Sequence, residues 1–233
     1  MKYKTHHFKT GSYANGKIDM ADNYLEKRYA EVFGNGGGKT VPHLQKASLD
    51  RLLFLNRSYR GYDKSYVVHR LQLESIVAVN TRLASGMNAQ RLRFKLVTKG
   101  PEADSVISNI RLGGALPELH LPFAGTEPEA FIVVCIEGEE NAIIDIDLGI
   151  SLQSMLLKAV DLKLGGIIIR NFDKSAIKAG LGLELNPIVI LAIGKPAEKI
   201  ELIPANAGDK LSYYRKDGVH YVPKLKVEDL IVK

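Results

Sequence analysis

The chain has a single cysteine and no long apolar run. Cys135 stands alone among 233 residues, which excludes an intrachain disulfide framework and any multi-cysteine metal site. It lies in Phe131-Ile132-Val133-Val134-Cys135-Ile136, a segment that reads as a buried strand, so a structural role is expected for it. No stretch of about eighteen apolar residues occurs, so no membrane-spanning helix is expected. The segment Met1-Lys2-Tyr3-Lys4-Thr5-His6-His7 is basic, but no apolar signal core follows it, and a cytoplasmic protein is expected. Other absences narrow the chemistry. No nucleophile elbow, HExxH, CxxC or EF-hand spacing occurs, and no internal repeat is apparent. No Gly-x-Gly-x-x-Gly follows an expected strand, which argues against a Rossmann nicotinamide domain. Gly38-Lys39-Thr40 has the ending of a phosphate loop, but Phe33 stands where that loop needs glycine, and a polar helix rather than a buried strand precedes it.

Composition is that of a soluble globular chain, with 45% hydrophobic and 25% charged residues. The formal charge is +6. Its cations are spread along the chain with acids between them and no aromatic–basic interleaving, so nucleic acid is not an expected partner. The excess favours anionic small ligands such as phosphorylated cofactors.

Two parts are expected, 1–47 and 48–233. Residues 1–19 are polar and aperiodic. A short helix follows over 20–32, and Gly34-Asn35-Gly36-Gly37-Gly38 reads as a flexible joint. Met20 is an alternative start. From Ala47 onward the pattern is globular. Ser48 caps a helix carrying Leu49, Leu52, Leu53 and Leu55, and a second helix covers 72–82. Strands are expected at 92–98, 131–136, 167–169 and 187–193. The strongest helix runs from Asp147 to Leu162, with Asp145 or Asp147 as its cap in preference to a carboxylate pair for acid–base or metal work. A short helix follows from Lys174 to Leu181, and Asp217-Gly218 marks a hairpin. Four strands among longer helices, without regular alternation, point to an α+β fold.

Two segments carry chemistry. Asn56-Arg57-Ser58-Tyr59-Arg60 sets two guanidinium groups about a hydroxyl, which suits a phosphate dianion. Ala84-Ser85-Gly86-Met87-Asn88-Ala89-Gln90 offers small residues and two amides, which suit close backbone approach and paired donors and acceptors for a heteroaromatic edge.

These segments, with Gly165-Gly166-Ile167-Ile168-Ile169-Arg170-Asn171 and Val222-Pro223-Lys224-Leu225-Lys226 in the same order, resemble the nitroreductase family from about Ser48 to the C-terminus. The resemblance implies a central, mainly antiparallel sheet flanked by helices in an intertwined homodimer. It implies an FMN-dependent oxidoreductase that passes hydride from NADH or NADPH through FMN to a nitroaromatic, quinone, flavin or similar acceptor by a ping-pong route. Arg57, Ser58, Arg60, Lys224 and Lys226 would hold FMN from one subunit, with Arg60 on its phosphate. Ala84, Ser85, Gly86, Asn88 and Gln90 would approach it from the other. Ile168, Ile169, Arg170 and Asn171 would pass the flavin edge, and Arg111 would face its pyrimidine. No side chain is required as a catalytic nucleophile, and no metal is implied. The sequence departs from the family pattern at several points. Asn56 replaces an arginine, Ala84 a proline, and Arg91-Leu92-Arg93 a region that commonly holds tryptophan. Arg170 stands where well-known members carry glutamate, so substrate and nicotinamide preference do not transfer. Two rival readings stay open: a flavin carrier or sensor without efficient turnover, and an anion- or nucleic-acid-binding module.

Overall fold

A computed structural model describes residues 48–232 except Ala115. The expected helix at 20–32, the glycine joint and the division at residue 47 lie outside the described residues. Six helices and seven strands are described: α1 (Leu49–Leu55), α2 (Arg70–Val77), β1 (Leu92–Val97), α3 (Pro101–Ser108), β2 (Ala130–Ile136), α4 (Ala142–Asp161), β3 (Gly165–Ile169), α5 (Lys174–Gly180), β4 (Asn186–Gly194), β5 (Lys199–Ala205), β6 (Tyr214–Lys216), β7 (Val219–Leu225) and α6 (Val227–Leu230). Among the described residues no helix is long and apolar enough to cross a membrane.

A four-stranded antiparallel sheet in the order β1-β2-β4-β3 forms the centre. β2 is buried at every position, because both faces of the sheet are covered. Side chains alternate across a strand. Ile132 and Val134 therefore join Val189, Leu191, Leu73, Ile76, Leu152 and Met155 beneath α2 and α4. Phe131, Val133 and Cys135 join Ile190, Ala192, Val106 and Ile177 beneath α3 and α5.

From Ser48 onward the expected elements are present, with differences at their ends. The helix expected over 72–82 is an α-helix to Val77 and a 3₁₀ turn from Ala78 to Arg82. The strongest helix starts at Ala142, one turn earlier than its apolar repeat indicates, and its cap is neither Asp145 nor Asp147. Asn141 is the cap, and its side chain accepts from Ile143 N and Ile144 N at 3.0 and 3.1 Å. An asparagine oxygen satisfies these free helix-start N–H groups as well as an aspartate does.

The four-strand expectation also falls short, because a second sheet exists in the order β5-β7-β6. Its hairpin is the expected one, with Asp217 and Gly218 at φ 49° and 77°, the pair of positive values that a type I′ turn needs. β5 then pairs with β7 in parallel, a long-range pairing with no local signal. Both sheets serve the site: β3 supplies the edge on which Ser58 lies, and β7 supplies a row of side chains facing it.

Candidate functional site

The segment 57–60 is fixed by backbone contacts before its side chains act. Ser58 bridges Gly166 in parallel fashion on the free edge of β3, and Tyr59 N donates to Gly166 O at 3.2 Å. The glycines of β3 permit this approach. A Cβ on Gly165 would lie 2.5 Å from the Tyr59 ring, and one on Gly166 would lie 2.5 Å from the Ala192 carbonyl oxygen. Tyr62 is buried alongside, and its hydroxyl donates to Tyr59 O at 2.8 Å. On the far side stands Glu198, whose side chain is 5% exposed. Its Oε1 accepts from Arg60 N and from Gly61 N, the latter at 2.7 Å. Its Oε2 accepts from Arg215 Nη1 at 3.1 Å.

This frame opens on a cavity of about 420 Å³. Arg57, Ser58 and Arg60 line it from one side, His220, Val222 and Lys224 of β7 from another, with Asn56, Gln153 and Tyr213 around them. The three β7 residues alternate with Tyr221 and Pro223, so they share one face of the strand. Among the described residues, the lining holds three permanent cations and no carboxylate. Arg57 Nη2 donates to Leu53 O at the end of α1, and burial draws its pKa below the ordinary arginine value. Arg60 is 8% exposed. Its Nη1 donates to Ser58 O at 3.0 Å, and its guanidinium lies 4.9 Å from the Tyr213 ring centre.

Among the described residues, three buried side-chain polar atoms lack a hydrogen-bond partner: Arg57 Nε, Arg60 Nε and His220 Nδ1. All three belong to residues that line this cavity. Buried donors without partners are costly, and three such groups beside Lys224 form an arrangement suited to the oxygens of a phosphate monoester.

The other expected residues divide into two groups. Lys226 does not line the cavity; it precedes α6, and its N–H donates to Ala205 O at 3.3 Å. Beyond β3, Arg111 N donates to Asn171 O at 2.9 Å, which sets these two residues together. Ile168 is exposed and Ile169 buried, as their alternation along β3 requires. Arg170 turns outward and pairs with Glu140 at 2.9 Å.

The 84–90 loop lies elsewhere. Ala84, Ser85 and Gln90 line a separate cavity, also about 420 Å³, with Leu83, Leu92, Phe94 and Asp147. Gly86 N donates to Asp147 Oδ1 at 2.8 Å, which is what that carboxylate does in place of capping α4. Gln90 Nε2 donates to Asn88 Oδ1 at 3.1 Å. Met87, Asn88 and Gln90 all have φ near 50°, a conformation that non-glycine residues adopt at a cost of about 1–3 kcal/mol each, often at ligand sites. Asn56 Nδ2 donates to Gln153 Oε1 at 3.4 Å, so both motifs dock on α4, at positions separated by roughly 9 Å along its axis.

The profile of the nitroreductase family matches residues 56–195, which is more than half of the chain. The chain belongs to the nitroreductase family. Solved nitroreductases share the fold. A nitroreductase family protein from Streptococcus pneumoniae TIGR4 superposes with a TM-score of 0.57 at 16% identity, covering 80% of this chain and 100% of that one. NfnB, an FMN and NADPH-dependent nitroreductase from sphigopyxis sp. strain HMH, gives 0.53 at 18%, covering 65% and 89%. A family protein from Clostridium novyi NT gives 0.53 at 19%, covering 64% and 86%. No curated protein matches the chain.

The cavity and its supporting frame also include residues that the sequence motifs do not flag. His220 was reachable only through the two-residue period that links it to Lys224. Glu198 and Arg215 gave no signal, because what they do depends on the loop that folds over them.

Proposed function

We propose that this nitroreductase-family chain is an FMN-dependent NAD(P)H oxidoreductase that acts as a homodimer on a small-molecule electron acceptor. The observation that carries the proposal is the cavity between the 57–60 segment and β7, where, among the described residues, three cations and three unpartnered buried nitrogens meet without a carboxylate. Arg57, Ser58, Arg60 and Lys224 would hold the phosphate end of FMN, with Lys226 adding charge from the following turn. Arg111 and Asn171 would lie toward the ring system, with Ile168, Ile169 and Arg170 along its edge. FMN, when bound, supplies acceptance of hydride from NAD(P)H and its delivery in a second half-reaction to a nitro compound, quinone, flavin or similar acceptor. The chain's own part is to hold the phosphate, orient the ring and neutralise charge.

A second copy would complete the site. Leu49, Leu53 and Phe54 of α1 and Ile143, Ile146 and Ile150 of α4 are exposed, and each such side chain gains roughly 1.5–3 kcal/mol on full burial. The strained 84–90 loop lies beside Ile143. From there Ala84, Ser85, Gly86, Asn88 and Gln90 would reach the flavin of the partner subunit. A nicotinamide-using flavoprotein also fits the cytoplasmic location expected from the sequence.

The absorption spectrum of the purified protein tests the proposal. A yellow protein is expected, releasing FMN rather than FAD because the cation cluster suits one terminal phosphate and no dinucleotide glycine motif is present. NADH or NADPH should bleach it and acceptor should restore the colour. A colourless preparation that takes up no added FMN overturns the proposal, and bound FMN that no nicotinamide reduces leaves a flavin carrier.

A further inference from the structure

His220 is a histidine that neither the family motifs nor the foregoing assignment uses. It is 2% exposed, lines the candidate phosphate cavity, and stacks at a tilt on Tyr213 with ring centres 4.9 Å apart. Arg60 Nη1 lies 3.5 Å from its Nε2, and its Nδ1 is buried without a partner. Arginine can only donate. The histidine nitrogen that faces Arg60 is therefore the acceptor, and the proton of the neutral ring sits on Nδ1.

We propose that His220 is a phosphate-recognition residue of this flavoprotein, holding Arg60 through Nε2 and donating Nδ1–H to the phosphate ester of the bound flavin. The inference rests on the FMN reading of the cavity and adds a residue and a polarity to it. Three features carry it. The unpartnered nitrogen is a donor, as an anion requires. The same ring fixes the guanidinium beside it, so one side chain sets two donors toward one ligand. β7 places His220 four residues before Lys224 on the same face, so imidazole and ammonium line the cavity together. Burial and the Arg60 charge both hold the ring below its ordinary pKa of 6.5, with Glu198 opposing, which keeps it neutral and Nε2 available.

The test compares FMN with riboflavin, which lacks the phosphate, on the apoprotein. His220→Phe keeps ring volume without either nitrogen. It should weaken FMN roughly 10–150-fold, the range of one lost hydrogen bond to a charged group, and leave riboflavin affinity unchanged. His220→Asn places an amide nitrogen near the position of Nδ1 and should keep FMN affinity within about fivefold of wild type. In the ¹⁵N-labelled wild-type protein, the Nδ1 resonance should carry the proton and shift on adding FMN but not riboflavin. This last readout stands even if both variants fold poorly. Equal loss of both flavins in His220→Phe, unchanged FMN affinity, or an Nδ1 signal indifferent to FMN overturns the inference. If wild type binds riboflavin and FMN equally, the phosphate cavity is misplaced and the inference falls with it. If it binds neither, the flavoprotein reading itself fails.

Discussion

Three side chains with unusual environments give predictions at the scale of single residues. Glu198 accepts from two backbone N–H groups and from Arg215 at one nearly buried carboxylate. Glu198→Ala leaves a largely buried guanidinium and two amides unpaired. It should cost on the order of 3–5 kcal/mol in urea unfolding and lower FMN affinity as the 60–61 turn loosens. Glu198→Gln should keep part of both. Cys135 is buried beneath α3 and α5, and burial pushes its thiol up to about 11. It should resist disulfide reagents in the native state at neutral pH and react only after unfolding. His220 yields a pH prediction for the apoprotein. Burial first, then Arg60, lowers its folded pKa from 6.5. The unfolded chain therefore binds a proton that the folded chain refuses. Stability is full above about pH 6.5 and falls as pH drops toward the lowered folded value. Unfolding free energies at about pH 8 and about pH 5.5 should differ less in His220→Asn than in wild type, since only the histidine titrates there.

Among the elements, β3 is the junction between fold and site. Its edge receives Ser58, and its partner β4 lies so close that a Cβ on Gly166 would meet the Ala192 carbonyl oxygen at 2.5 Å and the Leu156 side chain at 2.8 Å. Backbone cannot yield as a flexible side chain does. Gly166→Ala should therefore lower the melting temperature by many degrees and detach the 57–60 segment, which a loss of FMN binding would report. Gly86→Ala makes an instructive contrast. Its nearest obstacle is Cγ2 of Ile143 at 2.2 Å, a branch held close to the α4 backbone by a stiff χ1, so the 84–90 loop must shift and the loss should fall there rather than on the central sheet. The fold itself was largely legible at this scale. The apolar run of β2, the helical repeat of α4 and the Asp217-Gly218 turn each carry their own signal. The start of α4 was missed because Asn141 caps as well as the aspartates that follow. β5 was missed because its residues alternate only weakly in burial and its partner β7 lies a hairpin further on.

For the whole molecule, the prediction concerns a shared site. If Arg60 and Lys224 hold a flavin from one subunit and Asn88 reaches it from the other, a two-fold dimer has two composite sites. Arg60→Ala and Asn88→Ala should each abolish FMN binding in homodimers. When the two are unfolded and refolded together, one site of each mixed dimer receives both defects and the other receives neither. Roughly a quarter of wild-type sites should recover when pairing is unbiased. Mixed dimers that form without any recovery would place both residues in one subunit's site or one of them outside it. Ile146→Lys, in the exposed face of α4, should shift the protein toward monomer in light scattering and take FMN binding with it.

The sequence by itself determined the local elements, the order of the motifs and the residue types suited to a phosphorylated flavin. These follow from short-range periodicity, capping and turn chemistry, which are written within a few residues. Only the tertiary structure decided which of those residues meet. Arg57, Ser58, Arg60 and Lys224 share a cavity, Lys226 caps the next turn, and Ser85 and Gln90 line another cavity. It also decided that Glu198 and His220 belong to the same centre. The physical reason is that their roles arise from burial and from contacts across 137 to 160 residues of chain. A carboxylate or an imidazole has no special character until a fold removes its water and sets a guanidinium beside it.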